Sequence, residues 1–330
     1  MHMADALLSP AVGGTMLAVS AGVLAYAVRD VQKNFQESRI PLMGVAGAFV
    51  FAAQMINFSI PGTGSSGHIG GAVLLATLLG PSPAFIVMAG VLLIQALFFA
   101  DGGLLAWGCN LFNMGFFGCF LAYPYVFRPI AGKTLKKGRV FTAALAACIV
   151  SLELGAFAVT LETLLSGITE LPFGVFASVM LPIHLAIAVG EGLATGAVLL
   201  FIRRNLPDAD SLKQEEKKLS VRRLSCVLGL AAFLIGGGFS LLASGNPDGL
   251  EWSMERVAGS AELENAGTFH SFFAKLADAI AILPDYAFPD GESRFGTTFS
   301  GIVGVTVCAL LLGGLGYLLC RKPKKEASSK

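Results

Sequence analysis

Charge is what this sequence has least of. Only 14% of its 330 residues are Asp, Glu, Lys or Arg, against 55% hydrophobic residues and a mean hydropathy of +0.72. So little charge excludes an ordinary soluble domain, and a net charge of +1 offers no basic field for nucleic acid. Catalytic signatures are missing too. There is no Gly-x4-Gly-Lys-[Ser/Thr] loop for ATP, no His-Glu-x-x-His pair and no Gly-x-Ser-x-Gly elbow, so the chain reads as no enzyme and carries no ATPase site of its own. The six cysteines, Cys109, Cys119, Cys148, Cys226, Cys308 and Cys320, have no CxxC spacing and lie in or beside apolar runs. That excludes a disulfide framework and a thiolate metal site.

What the sequence has is apolar length. Segments able to cross a bilayer, at about 17 to 25 residues each, are drawn at 6–28, 40–58, 82–100, 103–127, 140–166, 173–202, 224–243 and 299–320, with a shorter one at 68–80. Ala25-Tyr26-Ala27 imitates a signal-peptidase site, but Asp5 precedes the apolar core and Arg29, Lys33 and Arg39 follow it, so a cleaved leader is rejected. Basic residues gather on the cytoplasmic side of membrane proteins. With the N terminus outside and 68–80 counted as a crossing, twenty of the 23 Lys and Arg fall in cytoplasmic segments, and only Arg256, Lys275 and Arg294 lie outside. The expectation is therefore an all-α polytopic membrane protein with nine spans, N terminus outside and C terminus inside.

The basic stretch 206–223 divides seven spans from two, which gives a unit over 1–205 and a second over 224–330. The external loop of the second unit, 244–298, is acidic and carries Trp252, Tyr286 and Phe288. At that length it reads as a folded cap rather than a turn.

Four histidines are present, and the first stands directly behind Met1. A second-position histidine offers the free amine of Met1, its own amide nitrogen and its imidazole, which close two small fused chelate rings. Three such donors lie nearly in one plane, and a fourth nitrogen completes a square. Planar nitrogen sets suit Ni(II), Cu(II) or low-spin Co(II) and fit Zn(II) poorly. His68, at the exit of the glycine-rich loop Gly62 to Gly71, is the best candidate for the fourth position.

Polar side chains inside apolar spans are expensive and mark candidate sites. Gln54 and Asn57 precede the glycine loop on one helix face, and Gln95, Asp101, Asn110 and Asn113 flank Gly102-Gly103. These, with Ser66 and Gly67, are read as support for the ligands or as interhelical hydrogen bonding. His184 and Glu191 share a face of the seventh span, with Glu153 and Glu162 in the span before, as a candidate permeation or proton-coupling group. His270 reads as a loop residue.

The stretches MHMADALLSPAVGGT, AAQMINFSIPGTGSSGHIGGAVLLATLLGP, QALFFADGGLLAWGCNLFNMG and PIHLAIAVGEGLATG resemble the substrate-capture (S) component of nickel and cobalt energy-coupling-factor transporters, the CbiM/NikM type. The resemblance covers roughly residues 1 to 202. It implies that Met1, His2 and His68 hold Ni2+ or Co2+ as transported substrate, with no organic cofactor. Met3-Ala4-Asp5-Ala6 departs from the family's usual continuation. PDGLEWS and PDYAF resemble the NikN-type accessory subunit, fused here to the M type. The resemblance further implies a transmembrane T component of the CbiQ/NikQ type, cytoplasmic ATPases of the CbiO/NikO type, and residence in the prokaryotic cytoplasmic (inner) membrane, in contact with lipid. The alternative reading is a self-sufficient, proton-coupled secondary transporter using Glu153, His184 and Glu191.

Overall fold

The computed structural model describes residues 1–34, 39–132, 136–205, 214–261, 263, 267–288 and 294–320. The protein is mostly helical, as expected from its composition. In chain order the helices are α1 (Pro10–Asn34), α2 (Ile40–Gln54), α3 (Ala72–Leu79), α4 (Pro81–Phe98), α5 (Trp107–Leu111), α6 (Arg128–Ala131), α7 (Lys137–Ser166), α8 (Phe173–Asn205), α9 (Gln214–Gly237), α10 (Gly249–Ala258), α11 (Thr268–Ile280) and α12 (Arg294–Cys320). A π-helical stretch, Phe112–Phe127, joins α5 to α6. Its i→i+5 bonding sets residues four and five apart side by side, and Phe112 accordingly meets both Phe116 (centroids 4.6 Å apart) and Phe117 (5.2 Å). The departure from an all-helical chain is a hairpin of two-residue strands, β1 (Phe58–Ser59) and β2 (Ser66–Gly67), in the glycine loop.

Among the described residues five helices, α1, α4, α7, α8 and α12, are long and apolar enough to cross a bilayer, and α2 is apolar but only 15 residues long. The first drawn span begins later than its apolar run. Ser9 Oγ accepts the Val12 amide at 3.4 Å and Pro10 takes the first helical position, an N-terminal cap that leaves residues 1–9 outside α1. Segment 68–80 forms eight residues of helix, about 12 Å at 1.5 Å per residue. Alone, α3 spans less than half of a hydrocarbon core of about 30 Å. The basic stretch 206–213 and the tail 321–330 lie outside the described residues.

Two opposite ends of the bundle can be identified from contacts. At one end Ser82 Oγ, at the start of α4, donates to Asp30 Oδ2, near the end of α1, at 2.5 Å. At the other lie residues 1–9 and Asp101, just past the end of α4. The glycine loop therefore starts from the Asp101 end, and α3 delivers the chain to the Asp30 end. Its buried backbone needs partners, because no water is available at that depth. Glu191, near the middle of α8, supplies them: its two carboxylate oxygens accept the amides of Gly70 and Gly71, each at 2.9 Å. A carboxylate at the first turn of α3 also opposes the positive end of that helix.

Glu191→Ala is expected to leave two buried N–H groups unpaired, at about 1–3 kcal/mol each. The unfolding midpoint in detergent should fall accordingly, and Glu191→Gln, which keeps one acceptor, should lose about half as much.

The second unit packs through α9 and α12 onto α2. Helices come closest where side chains are absent: a Cβ at Gly301 of α12 would lie 1.9 Å from the Gly236 carbonyl oxygen of α9.

Candidate metal centre

The N-terminal residues are held by their backbone. Asn110 closes a two-point pair with Met3, accepting its amide at 2.7 Å and donating to its carbonyl at 3.1 Å, while the Gly103 amide donates to the same carbonyl at 2.9 Å. Asp5 Oδ1 accepts the Ala106 amide at 2.8 Å, at the start of α5. His270 Nε2 lies 2.8 Å from the Leu8 carbonyl oxygen, so this histidine pins the chain's approach to α1. The Met1 side chain is buried against Gly155 of α7.

So fixed, the chain end meets His68. The Met1 amine is 3.0 Å from His68 Nε2, and the His2 ring stacks on the His68 ring with centroids 5.0 Å apart and planes 11° from parallel. His68 Nδ1 lies 3.2 Å from the Ile69 carbonyl oxygen, which can only accept, so Nδ1 carries the hydrogen and Nε2 offers its lone pair toward the amine. The three residues singled out from the sequence are thus brought together. Among the described residues no three His, Cys, Asp or Glu side chains converge as a metal site, so a planar set here depends on main-chain nitrogen.

Two carboxylates complete the surroundings. Asp248 Oδ2 accepts the Met1 amine at 2.6 Å and lies 4.0 Å from His68 Nε2, while Asp101 Oδ1 is 3.0 Å from His2 Nδ1. Burial disfavours the charge on Asp248, but the Met1 ammonium, His68 and the Glu251 amide outweigh it and hold the carboxyl well below the usual range. Asp101 is likewise held low, against burial, by the charge and hydrogen bond of His2 and by Tyr286. Both acids therefore stand ionised beside the donors.

Asp101, read from the sequence as ligand support or interhelical hydrogen bonding, lies beside the His2 ring. Asp248 was not singled out, and the loop that carries it sits directly on the glycine loop. Asp248 Oδ1 accepts the amides of Leu250 (2.7 Å) and Glu251 (3.0 Å), and Glu251 Oε2 accepts the Asp248 amide at 2.8 Å. This is a capping box at the start of α10. The spacing Asp-x-x-Glu was the signal in the sequence; nothing there said that the second oxygen of Asp248 would face Met1. Three further bonds seat the loop: the Ser66 amide to the Pro247 carbonyl at 2.8 Å, Ser66 Oγ to the Asn246 carbonyl at 2.8 Å, and Trp252 Nε1 to the Thr63 carbonyl at 3.0 Å.

The remaining expected residues divide. Gln54 donates to the Gly70 carbonyl at 2.8 Å, and Gln95 Nε2 gives one hydrogen to Gln54 Oε1 (3.0 Å) and one to the Tyr286 hydroxyl oxygen (3.3 Å). Tyr286 in turn donates to Asp101 Oδ2 at 2.5 Å. One unbroken network thus runs from Asp101, the partner of His2, to the glycine loop. Its turns adopt φ values that L side chains rarely take, Ala100 at 54°, Asp285 at 50° and Tyr286 at 58°, a conformation that persists only where the surroundings impose it.

Tyr286→Phe keeps the stacking on Phe99 (4.7 Å) but removes the hydroxyl. About 1.5–3 kcal/mol of stability should be lost with that charge-assisted bond, read as a lower unfolding midpoint in detergent.

Asn113 donates to Glu162 Oε2 at 2.7 Å and touches Met3 Sδ. Gly67 has no room for a side chain against Ile187. The main-chain carbonyl of Asn57 accepts the Ser244 amide at 2.7 Å, while its side-chain Oδ1 is buried with no hydrogen-bond partner among the described residues. A cavity lined by Met1, His68, Asn113, Ser151, His184, Glu191 and Asp248, among others, lies beneath the donors. Glu153, half-buried on α7, does not line it.

A helical, membrane-compatible fold that brings the Met1 amine and the His2 and His68 imidazoles together at one end defines a class: polytopic membrane proteins with clustered nitrogen donors. Comparison with known proteins narrows it. The family described as the cobalt uptake substrate-specific transmembrane region, CbiM, matches residues 2–209, and the PDGLE domain matches 222–321. The putative fused nickel transport protein NikMN of Archaeoglobus fulgidus is 32% identical over 320 residues, 95% of this chain and 97% of that protein. The probable fused nickel transport protein LarMN of Lactiplantibacillus plantarum is 32% identical over 333 residues, covering 96% of this chain and 98% of that one. A crystal structure described as a transition metal transporter is 32% identical and superposes with a TM-score of 0.55 over 68% of this chain and 99% of that one. The chain belongs to the CbiM family of nickel and cobalt transport proteins, in the fused form that also carries a PDGLE domain.

Proposed function

We propose that this protein is the metal-capturing subunit of an ATP-driven energy-coupling-factor uptake system for nickel or cobalt in a prokaryotic cytoplasmic membrane. Met1, His2 and His68 receive the ion at the outer face. A T component of the CbiQ/NikQ type and ATPases of the CbiO/NikO type drive its release inward. The observation that carries the reading is the placement of the Met1 amine 3.0 Å from His68 Nε2, with the His2 ring stacked alongside.

Loading exchanges contacts. Only the Nδ1 atom of His2 can close a six-membered ring with its own amide nitrogen, and that atom faces Asp101. The His2 ring must therefore turn, and the amine must leave Asp248. One proton leaves the ammonium and one leaves the amide as a dication enters, so the net charge of the buried site is unchanged, which keeps the desolvation cost low. The second unit thereby holds both donors near His68, Asp248 at the Met1 amine and Tyr286 through Asp101 at His2.

The topology follows the same reading. Nine crossings run over two units, 1–205 and 224–330, joined by the basic stretch 206–223, with N terminus outside and C terminus inside. Segment 68–80 crosses as the short α3 preceded by non-helical backbone whose Gly70 and Gly71 amides Glu191 satisfies. That 20 of the 23 Lys and Arg fall in the segments this drawing places inside supports the orientation.

The test is Ni2+ uptake by cells producing this chain with and without the partner genes. Uptake is expected only with the ATPases present, and His2→Ala or His68→Ala should abolish it. Uptake by the chain alone, driven by a pH gradient, would replace this reading with secondary transport.

A further inference from the structure

His184 is the one histidine that the capture reading leaves without a task. It lies in α8, 1% exposed, with Nδ1 2.8 Å from the Met180 carbonyl oxygen. A carbonyl only accepts, so Nδ1 carries the ring hydrogen and Nε2 the lone pair. Among the described residues that Nε2 has no partner. A buried polar atom left unpaired calls for an occupant or a reason. Imidazoles that bind metals are set in this way, one nitrogen donating to a carbonyl so that the other presents its lone pair.

The place fits that role. His184 lines the cavity beneath the N-terminal donors together with Met1, His68 and Asp248 at its outer end and Asn113, Ser151 and Glu191 deeper in the protein. Gly249 of the capping box covers the ring edge: a Cβ there would sit 2.9 Å from His184 Cε1 and 3.2 Å from Nε2. The docked external loop therefore closes over a second nitrogen as well as over the first site.

We propose that His184 Nε2 is a second metal-ligating position, which takes the ion as it leaves the Met1–His2 chelate for the interior. The proposal rests on the capture reading and adds a station to it. Imidazole nitrogen accepts nickel and cobalt alike, so the station serves either ion.

The experiment uses the purified full chain in detergent with Co(II) and Ni(II) as probes. His2→Ala removes the planar chelate. That chain should still bind one Co(II), with the visible bands of a non-planar site, and adding His184→Ala should weaken this binding at least about tenfold, the scale on which even outer-shell changes weaken metal sites. His184→Phe, which keeps a ring against Gly249, should do the same. With His2 intact, both His184 variants should hold one planar Ni(II), which also reports a folded chain. Three results overturn the proposal: no Co(II) binding by His2→Ala, Co(II) binding unchanged by loss of His184, or loss of planar Ni(II) in both His184 variants. Absence of a planar Ni(II) band from the unaltered chain would instead sink the capture reading, and the Co(II) comparison would still be read independently.

Discussion

Acetylating the Met1 amine is expected to lower Ni(II) affinity by about ten-thousandfold and to abolish the planar d–d band. Four-ligand sites bind with apparent free energies of about 10–16 kcal/mol, roughly 3 kcal/mol for each donor, or about a hundredfold in affinity. Acetylation removes two donors together, because an amide nitrogen is deprotonated by Ni(II) only when a neighbouring amine anchors the five-membered ring. His68→Ala removes one donor and should cost about a hundredfold. A chain with one residue added before Met1 is the most informative control. It places the histidine third, so that an amine, two amides and an imidazole can fill the plane without help. Planar binding should then persist but become indifferent to His68→Ala. Titration of the purified chains by absorption reads all three outcomes, and unchanged binding after acetylation would remove the N-terminal chelate from consideration.

Gly103→Ala should weaken Ni(II) binding about as much as His68→Ala does, although it alters no donor. A Cβ at 103 would lie 1.8 Å from Asp5 Oδ1 and 2.5 Å from the Asp5 backbone nitrogen. The carboxylate can swing aside, but the backbone cannot. Residues 1–9 would be displaced from their seat, and the Met1–His2 chelate would lose His68 as its fourth nitrogen. Two consequences distinguish this from general damage. Asp5→Ala should not restore binding, since the backbone clash remains, and Gly103→Ala with His68→Ala should weaken binding little more than either alone, because both remove the same contact. Additive losses in that double-mutant cycle would show that the N terminus reaches His68 by another path.

The local parts of this protein were legible in the sequence. Helical membrane class follows from the scarcity of charge, and the three-nitrogen chelate from two adjacent residues whose ring sizes are fixed by covalent geometry. His68 was reached as the best-placed fourth nitrogen and through family resemblance. The capping box of the PDGLE segment was not read from the sequence, although Asp248 followed three residues later by Glu251 is a spacing with a local physical cause.

Only the tertiary structure decided what meets that chelate. Met1 and His68 are 67 positions apart, Met1 and Asp248 are 247 apart, and Tyr286 reaches Asp101 across 185. Apolar spans carry little register information, because lipid-facing and protein-facing surfaces are equally apolar. No periodicity could therefore show that Asp248 holds the amine, that Glu191 satisfies Gly70 and Gly71 rather than standing free, or that the Asn57 main-chain carbonyl accepts from Ser244. Asp5, noticed in the sequence only for its charge, proved to cap α5 and fix the chain end. The proposed donors follow from two neighbouring residues, whereas their surroundings depend on close approaches, at Gly103 within the first unit and at Gly249 between the two units, that exist only in the folded chain.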